Sequence, residues 1–122
     1  MQQQVGWKCK MAIANVAIAN TDTVLLEVPA GVRYAVTNIL ICNTADYNEL
    51  HEEAGITNFD MHLVENGQPK STTNKIVNAQ IMPPGETFTF DSERIILEEG
   101  DSIILMGESP TNLVATVSYM EV

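Results

Sequence analysis

Two histidines, two cysteines and sixteen acidic residues are the side chains of this 122-residue sequence equipped for chemistry. The densest group is Asp46-Tyr47-Asn48-Glu49-Leu50-His51-Glu52-Glu53, with four acids and one imidazole. Carboxylates and imidazole ligate metals. The spacing matches no calcium loop and no zinc motif, so a solvated acidic loop is preferred over a metal site. His51 and His62 are eleven residues apart, and two histidines cannot supply a three-imidazole centre. His62 falls two residues after Asp60 in an alternating run, which places both on the polar face of a strand, as surface groups. Cys9 and Cys42 lie in apolar runs with no CxxC spacing. A reduced, buried pair is the default for them, with a disulfide as the alternative. No GxSxG and no GxxxxGK[ST] occurs, and the acid pairs Glu52-Glu53 and Glu98-Glu99 read as solvated charge. The sequence therefore yields no catalytic residue, no cofactor-binding residue and no metal ligand, and the expectation is a protein that is not an enzyme.

What could such a chain contact? Its formal net charge is −10, from 16 acids and 6 bases. Phosphate neutralisation needs clustered Lys and Arg, so nucleic acid is excluded as a partner, and so is an anionic membrane surface. The charge suits solubility at high local concentration, or a specific basic partner. Apolar runs stop far short of the ~18 residues of a membrane helix. Met1-Gln2-Gln3-Gln4-Val5-Gly6-Trp7 has no basic region followed by an apolar core, so it does not read as a signal peptide. The expected place of synthesis and assembly is cytosol.

The elements that would position these groups are strands. Val, Ile and Thr occur eleven times each, a composition that favours sheet. Residues 1–7 read as an extended N-terminal arm, and 8–122 as one domain. Within the arm, Gln2, Gln3, Gln4, Val5 and Trp7 are the candidate interface residues, since Trp is enriched at interface hot spots. Lys8–Ile18 is a strand candidate whose alanines also admit a helix; the Asn20-Thr21-Asp22 cluster that frames it favours strand. Thr23–Pro29 follows. Val32–Asn43 is apolar on both faces, with Tyr34, Val36 and Leu40 on one and Ala35, Ile39 and Ile41 on the other, as in a central strand. Thr44 could cap a short helix over Asp46–Glu53 that ends before Gly55. Phe59–Glu65 alternates, with Phe59, Met61 and Leu63 inward, and Asn66-Gly67 marks a hairpin.

Glycine stands third in Pro83-Pro84-Gly85-Glu86 and in Glu98-Glu99-Gly100-Asp101, the place of positive φ in a type II turn. Ala30-Gly31 makes a corner of the same form. The turn glycines Gly31, Gly85 and Gly100, with Thr87-Phe88-Thr89-Phe90 and Leu113–Val122 as further strands, give the fold class: all-β, an antiparallel jelly-roll-like sandwich of about eight strands with one short helical insertion.

Several of these stretches together resemble small virion structural proteins of tailed bacteriophages, of the cyanophage and marine-phage type. They are Lys75-Ile76-Val77-Asn78, Pro84–Phe90, Ile96–Ile103 and Val114–Val122, joined by Val28-Pro29-Ala30-Gly31 and Thr37-Asn38-Ile39. The likeness covers about two-thirds of the chain, and the acidic loop Thr44–Asn58 departs from it. The resemblance implies a capsid decoration (cement) subunit. It would be a homo-oligomer, expected as a trimer at lattice sites, bound to the major capsid protein or other virion proteins and assembled in the host cytoplasm. A tail, neck or fibre-associated subunit is the alternative within that class. A carbohydrate-binding module for host attachment is the alternative outside it.

Overall fold

The computed structural model describes residues 11–91 and 95–122. Nine strands follow in order: β1 (Met11–Ala17), β2 (Thr23–Glu27), β3 (Tyr34–Asn43), β4 (Thr57–Val64), β5 (Lys75–Met82), β6 (Thr87–Phe90), β7 (Ile95–Leu97), β8 (Ser102–Gly107) and β9 (Leu113–Glu121). They form two antiparallel sheets. The front sheet has the order β1-β9-β3-β6, with β7 also on β3, and the back sheet β2-β8-β4-β5. The chain crosses repeatedly between the sheets, so strands distant in sequence become neighbours. This interleaved order is that of a jelly roll. The expected fold class is present, and the short helical insertion is not.

The two inner faces meet in one core. Val36, Ile39, Ile41, Leu113, Ala115 and Val117 come from the front sheet; Leu26, Phe59, Met61, Ile103 and Leu105 come from the back. Phe59 sets its ring edge-on to Phe88 across the layers, with centroids 5.4 Å apart.

Three sequence expectations fail here for physical reasons. The segment expected as a helix over Asp46–Glu53 is a chain of tight turns, with His51 N–H donating to Asn48 O and Ala54 N–H to His51 O. Its apolar Leu50 is 87% exposed, so the segment has no stripe to bury, and a helix this short does not hold without packing. In β3, strict alternation breaks at Thr37. The pairing with β9 shifts between Val36 and Asn38. That bulge puts Val36, Ile39 and Ile41 together in the core and turns Leu40 out to solvent. Leu40 therefore does not share a face with Val36. Cys42 follows Leu40 onto the outer side and is only half-buried, against the expectation of a buried thiol, while Cys9 lies outside the described residues.

Three turns are fixed by backbone geometry that favours glycine. Gly31, Gly85 and Gly100 have φ of +83°, +80° and +82°. At Gly85 the turn closes against the end of β3, Gly85 N–H donating to Asn43 O at 3.1 Å.

Candidate interaction surface

The residues facing away from the core on the front sheet can be read across the strands from their register. Met11 of β1 lies opposite Met120, which lies opposite Ala35, which lies opposite Ile96. The next rows are Ile13, Ser118 and Asn38, then Asn15, Thr116, Leu40 and Thr89, then Ala17, Val114, Cys42 and Thr87. No member of this five-strand surface is charged. Among the five strands of the sheet, the one charged residue is Glu121. Thr37, at the bulge, bonds to the Ser118 hydroxyl at 2.7 Å. The face also carries Met11, Ile13, Leu40 and Ile96, four of the large apolar side chains exposed on the molecule. In a chain of net charge −10, a broad face of hydroxyls, amides and hydrocarbon is a marked departure.

The back sheet differs. Its outer side carries Asp60, His62 and Lys75. Lys75 Nζ stands 3.6 Å from Asp60, whose carboxylate also accepts the N–H of Ala79 at 2.6 Å. Lys70, in the loop between β4 and β5, forms an ion pair with Asp22, just ahead of β2. Both members of that pair stand near enough to His62 to act on its imidazole. His62 is thus not the surface group expected from alternation: it is 4% exposed. Burial, then the Lys70 and Lys75 ammonium groups, hold its imidazole below the ordinary histidine range.

A pH dependence follows from this. The folded chain releases the His62 proton at lower pH than the unfolded chain, so the unfolded form binds protons first on acidification. The stabilisation is full above a pH of about 6.5 and is lost as pH falls through the folded value. Thermal midpoints of wild type and His62→Gln at pH 8 and pH 5 check this, with carboxylate effects common to both proteins. Acidification should lower the wild-type midpoint more than the variant's, and equal losses would dismiss the role of His62.

The chain between β3 and β4 is anchored by a group that sequence reasoning passed over. Asn43 is 1% exposed at the end of β3. Its Nδ2 donates to Gly55 O at 2.8 Å and to Met82 O at 2.9 Å. Its Oδ1 accepts from Ala45 N–H and from Asn112 Nδ2, both at 3.0 Å. All four hydrogen-bonding positions of the amide are filled. The only sequence signal is a polar residue closing the longest apolar run.

The acidic side chains Asp46, Glu49, Glu52 and Glu53 are all exposed on this anchored loop, and His51 with them. A cleft of about 480 Å³ on the back of the molecule is lined by Asn20, Asn58, Asp60, Asn78 and Glu108 among others, none of them aromatic, so it offers no stacking platform of the kind sought for a carbohydrate module. The arm residues Gln2, Gln3, Gln4, Val5 and Trp7 lie outside the described residues, so the front face is a surface the sequence did not single out. Its members are scattered through five strands, and only pairing gathers them. Comparison with family models, with curated proteins and with solved structures finds no match for this chain.

Proposed function

We propose that this chain is a structural virion subunit that decorates and stabilises a bacteriophage capsid by repeated binding to the shell, together with further copies of itself. The observation that carries this reading is the charge-free front face on a chain of net charge −10. A decoration subunit has to stay soluble as a free protein and then dock at many equivalent sites. Like charge over most of the surface keeps free copies apart. A face without charge can be desolvated against a shell protein without stranding an unpaired ion. Its exposed apolar groups supply the driving force, and its Ser, Thr and Asn groups can complete hydrogen bonds with the partner. The partners are the major capsid protein or other virion proteins, and the site of assembly is the host cytoplasm. The resemblance of the turn and strand motifs supports the same class.

The test is rebinding of purified protein to particles that lack it. Leu40→Glu with Thr89→Glu places charge in the middle of the face at positions that do not enter the core. The variant should keep its far-UV circular dichroism and lose at least tenfold in particle affinity. Deletion of residues 1–6 with Trp7→Ala should also weaken binding, by more than ~1 kcal/mol if the arm contributes a hot spot. Undiminished decoration by the Leu40/Thr89 variant would remove the front face as the docking surface. Density at the tail or neck, with the head bare, would transfer the role to that part of the virion.

A further inference from the structure

We infer that Asn66 is a site of spontaneous covalent modification, in which the Gly67 nitrogen displaces ammonia from the Asn66 side chain when the turn that holds this pair opens. Ten asparagines occur in the chain, and Asn66 alone is followed by glycine. The neighbour matters because its backbone nitrogen is the attacking atom, and a glycine has no Cβ to hinder the approach. Both residues are exposed, and a Cβ added at Gly67 would meet open space, so water and base reach the pair. Among the described residues, neither the Gly67 N–H nor the Asn66 side-chain amide takes part in a hydrogen bond. Asn43, Asn48, Asn74, Asn78 and Asn112, by contrast, each hold the side-chain amide in a hydrogen bond and precede a bulkier residue.

Water is the only co-reactant the chemistry needs. Base takes the Gly67 N–H proton, and the nitrogen lone pair bonds to Cγ of Asn66. The Cγ–Nδ2 bond breaks, and Nδ2 leaves as ammonia after taking a proton back from solvent. The product is a five-membered cyclic imide. Water then opens one of its two ring C–N bonds. Opening at Cγ leaves aspartate at 66. Opening at the main-chain carbonyl leaves isoaspartate, with the chain running through Cβ.

The folded turn sets the pace. Gln68 N–H donates to Glu65 O at 3.0 Å, and Gly67 has φ +82°. This is a type II turn with Asn66 second, where ψ is about +120°. Ring closure needs the Gly67 nitrogen eclipsed with Asn66 Cβ, and from that ψ it stands roughly 120° of rotation away. Asn66 is held there at two points. Its N–H donates to the Asp101 carboxylate at 2.9 Å, and its side-chain amide fills the space that a Cβ at Gly100 would need. Local opening of this junction therefore admits the attack. The product then works against reclosure. A carboxylate at 66 lies beside that of Asp101, in a turn region that already carries Glu65, Glu98 and Glu99. Isoaspartate adds a main-chain atom to a turn closed by one hydrogen bond. The inference stands on this junction and is independent of the virion role.

Peptide mapping of the full chain, aged at mildly alkaline pH, provides the test. Residue 66 should exchange NH for oxygen by mass, as aspartate and isoaspartate together, at least fivefold faster than any other asparagine. Asp101→Ala frees the Asn66 N–H and should raise the rate at 66 at least threefold. Urea gives a second reading on wild type, independent of whether that variant folds: the rate at 66 should rise at least tenfold across the unfolding transition. Aged protein, separated by its added negative charge, should unfold at a lower urea midpoint than fresh protein. It should also exchange the Gly100 N–H, which donates to Val28 O, faster than fresh protein does. A rate at 66 no greater than elsewhere removes the site. A rate that urea leaves unchanged, or a folded Asp101→Ala variant no faster than wild type, overturns the gating by the turn. Equal midpoints for aged and fresh protein overturn the effect on the junction.

Discussion

Asn43→Ala should destabilise the domain by about 3 kcal/mol or more, well above the ~1 kcal/mol typical of a substitution. The amide is fully buried and makes four hydrogen bonds, so its removal leaves partners behind as well as a void. Gly55 O keeps a second donor in Asn112 Nδ2 at 3.1 Å, but Met82 O and the Ala45 N–H lose the side-chain partners they have here. An unsatisfied buried polar group costs about 1–3 kcal/mol. Asn43→Asp should be no milder, because it replaces the two-donor nitrogen with a buried carboxylate oxygen facing two carbonyls. Chemical denaturation gives the free energy. Limited proteolysis gives the location: cleavage within the 44–56 loop should precede global unfolding in Asn43→Ala and not in wild type. A loss under ~1 kcal/mol would show that water replaces the amide, and that the loop is not anchored through it.

The fold was legible because its punctuation is local. Type II glycines, Asn66-Gly67 and short alternating runs each report on a few neighbouring residues, and those neighbours decide the backbone there. The misplaced features depend on longer-range facts. The bulge at Thr37 is invisible in Val32–Asn43, because a strand with apolar residues on both faces offers no break in pattern when it slips by one. His62 stands on the outward face, as its alternation says, yet it is buried, and the Lys70–Asp22 pair that acts on it joins segments 48 residues apart. The helix over Asp46–Glu53 had a cap and a stop, and lacked a surface to pack on. The front face was least legible of all. Each of its strands contributes a few neutral residues that mean nothing singly, and the absence of charge becomes a property only when β1, β9, β3 and β6 lie side by side.

Gly100→Val should cost more than Gly85→Val, and the difference should come from one side chain. Both positions hold φ near +80°, where a β-branched residue is strained by about 1–3 kcal/mol. Around Gly85 a side chain would meet open space, so strain is the whole cost. At Gly100 a Cβ would collide with the amide of Asn66. That contact sits where three segments are tied together. Gly100 N–H donates to Val28 O at 2.9 Å. The Asp101 carboxylate accepts from Asn66 N–H and Glu98 N–H, each at 2.9 Å. Glu99 reaches Gly31 N–H at 2.8 Å. Relief of the collision therefore has to move either Asn66 or the turn that holds it. Gly85→Val should lower stability by about 1–2 kcal/mol and Gly100→Val by about 3 kcal/mol or more. Asn66→Ala clears the space, so the Gly100→Val penalty measured in that background should fall to the Gly85→Val value, a coupling above ~0.5 kcal/mol in the double-mutant cycle. Equal costs at the two glycines, or a cycle that closes without coupling, would show that the junction yields freely and that backbone strain alone sets the penalty.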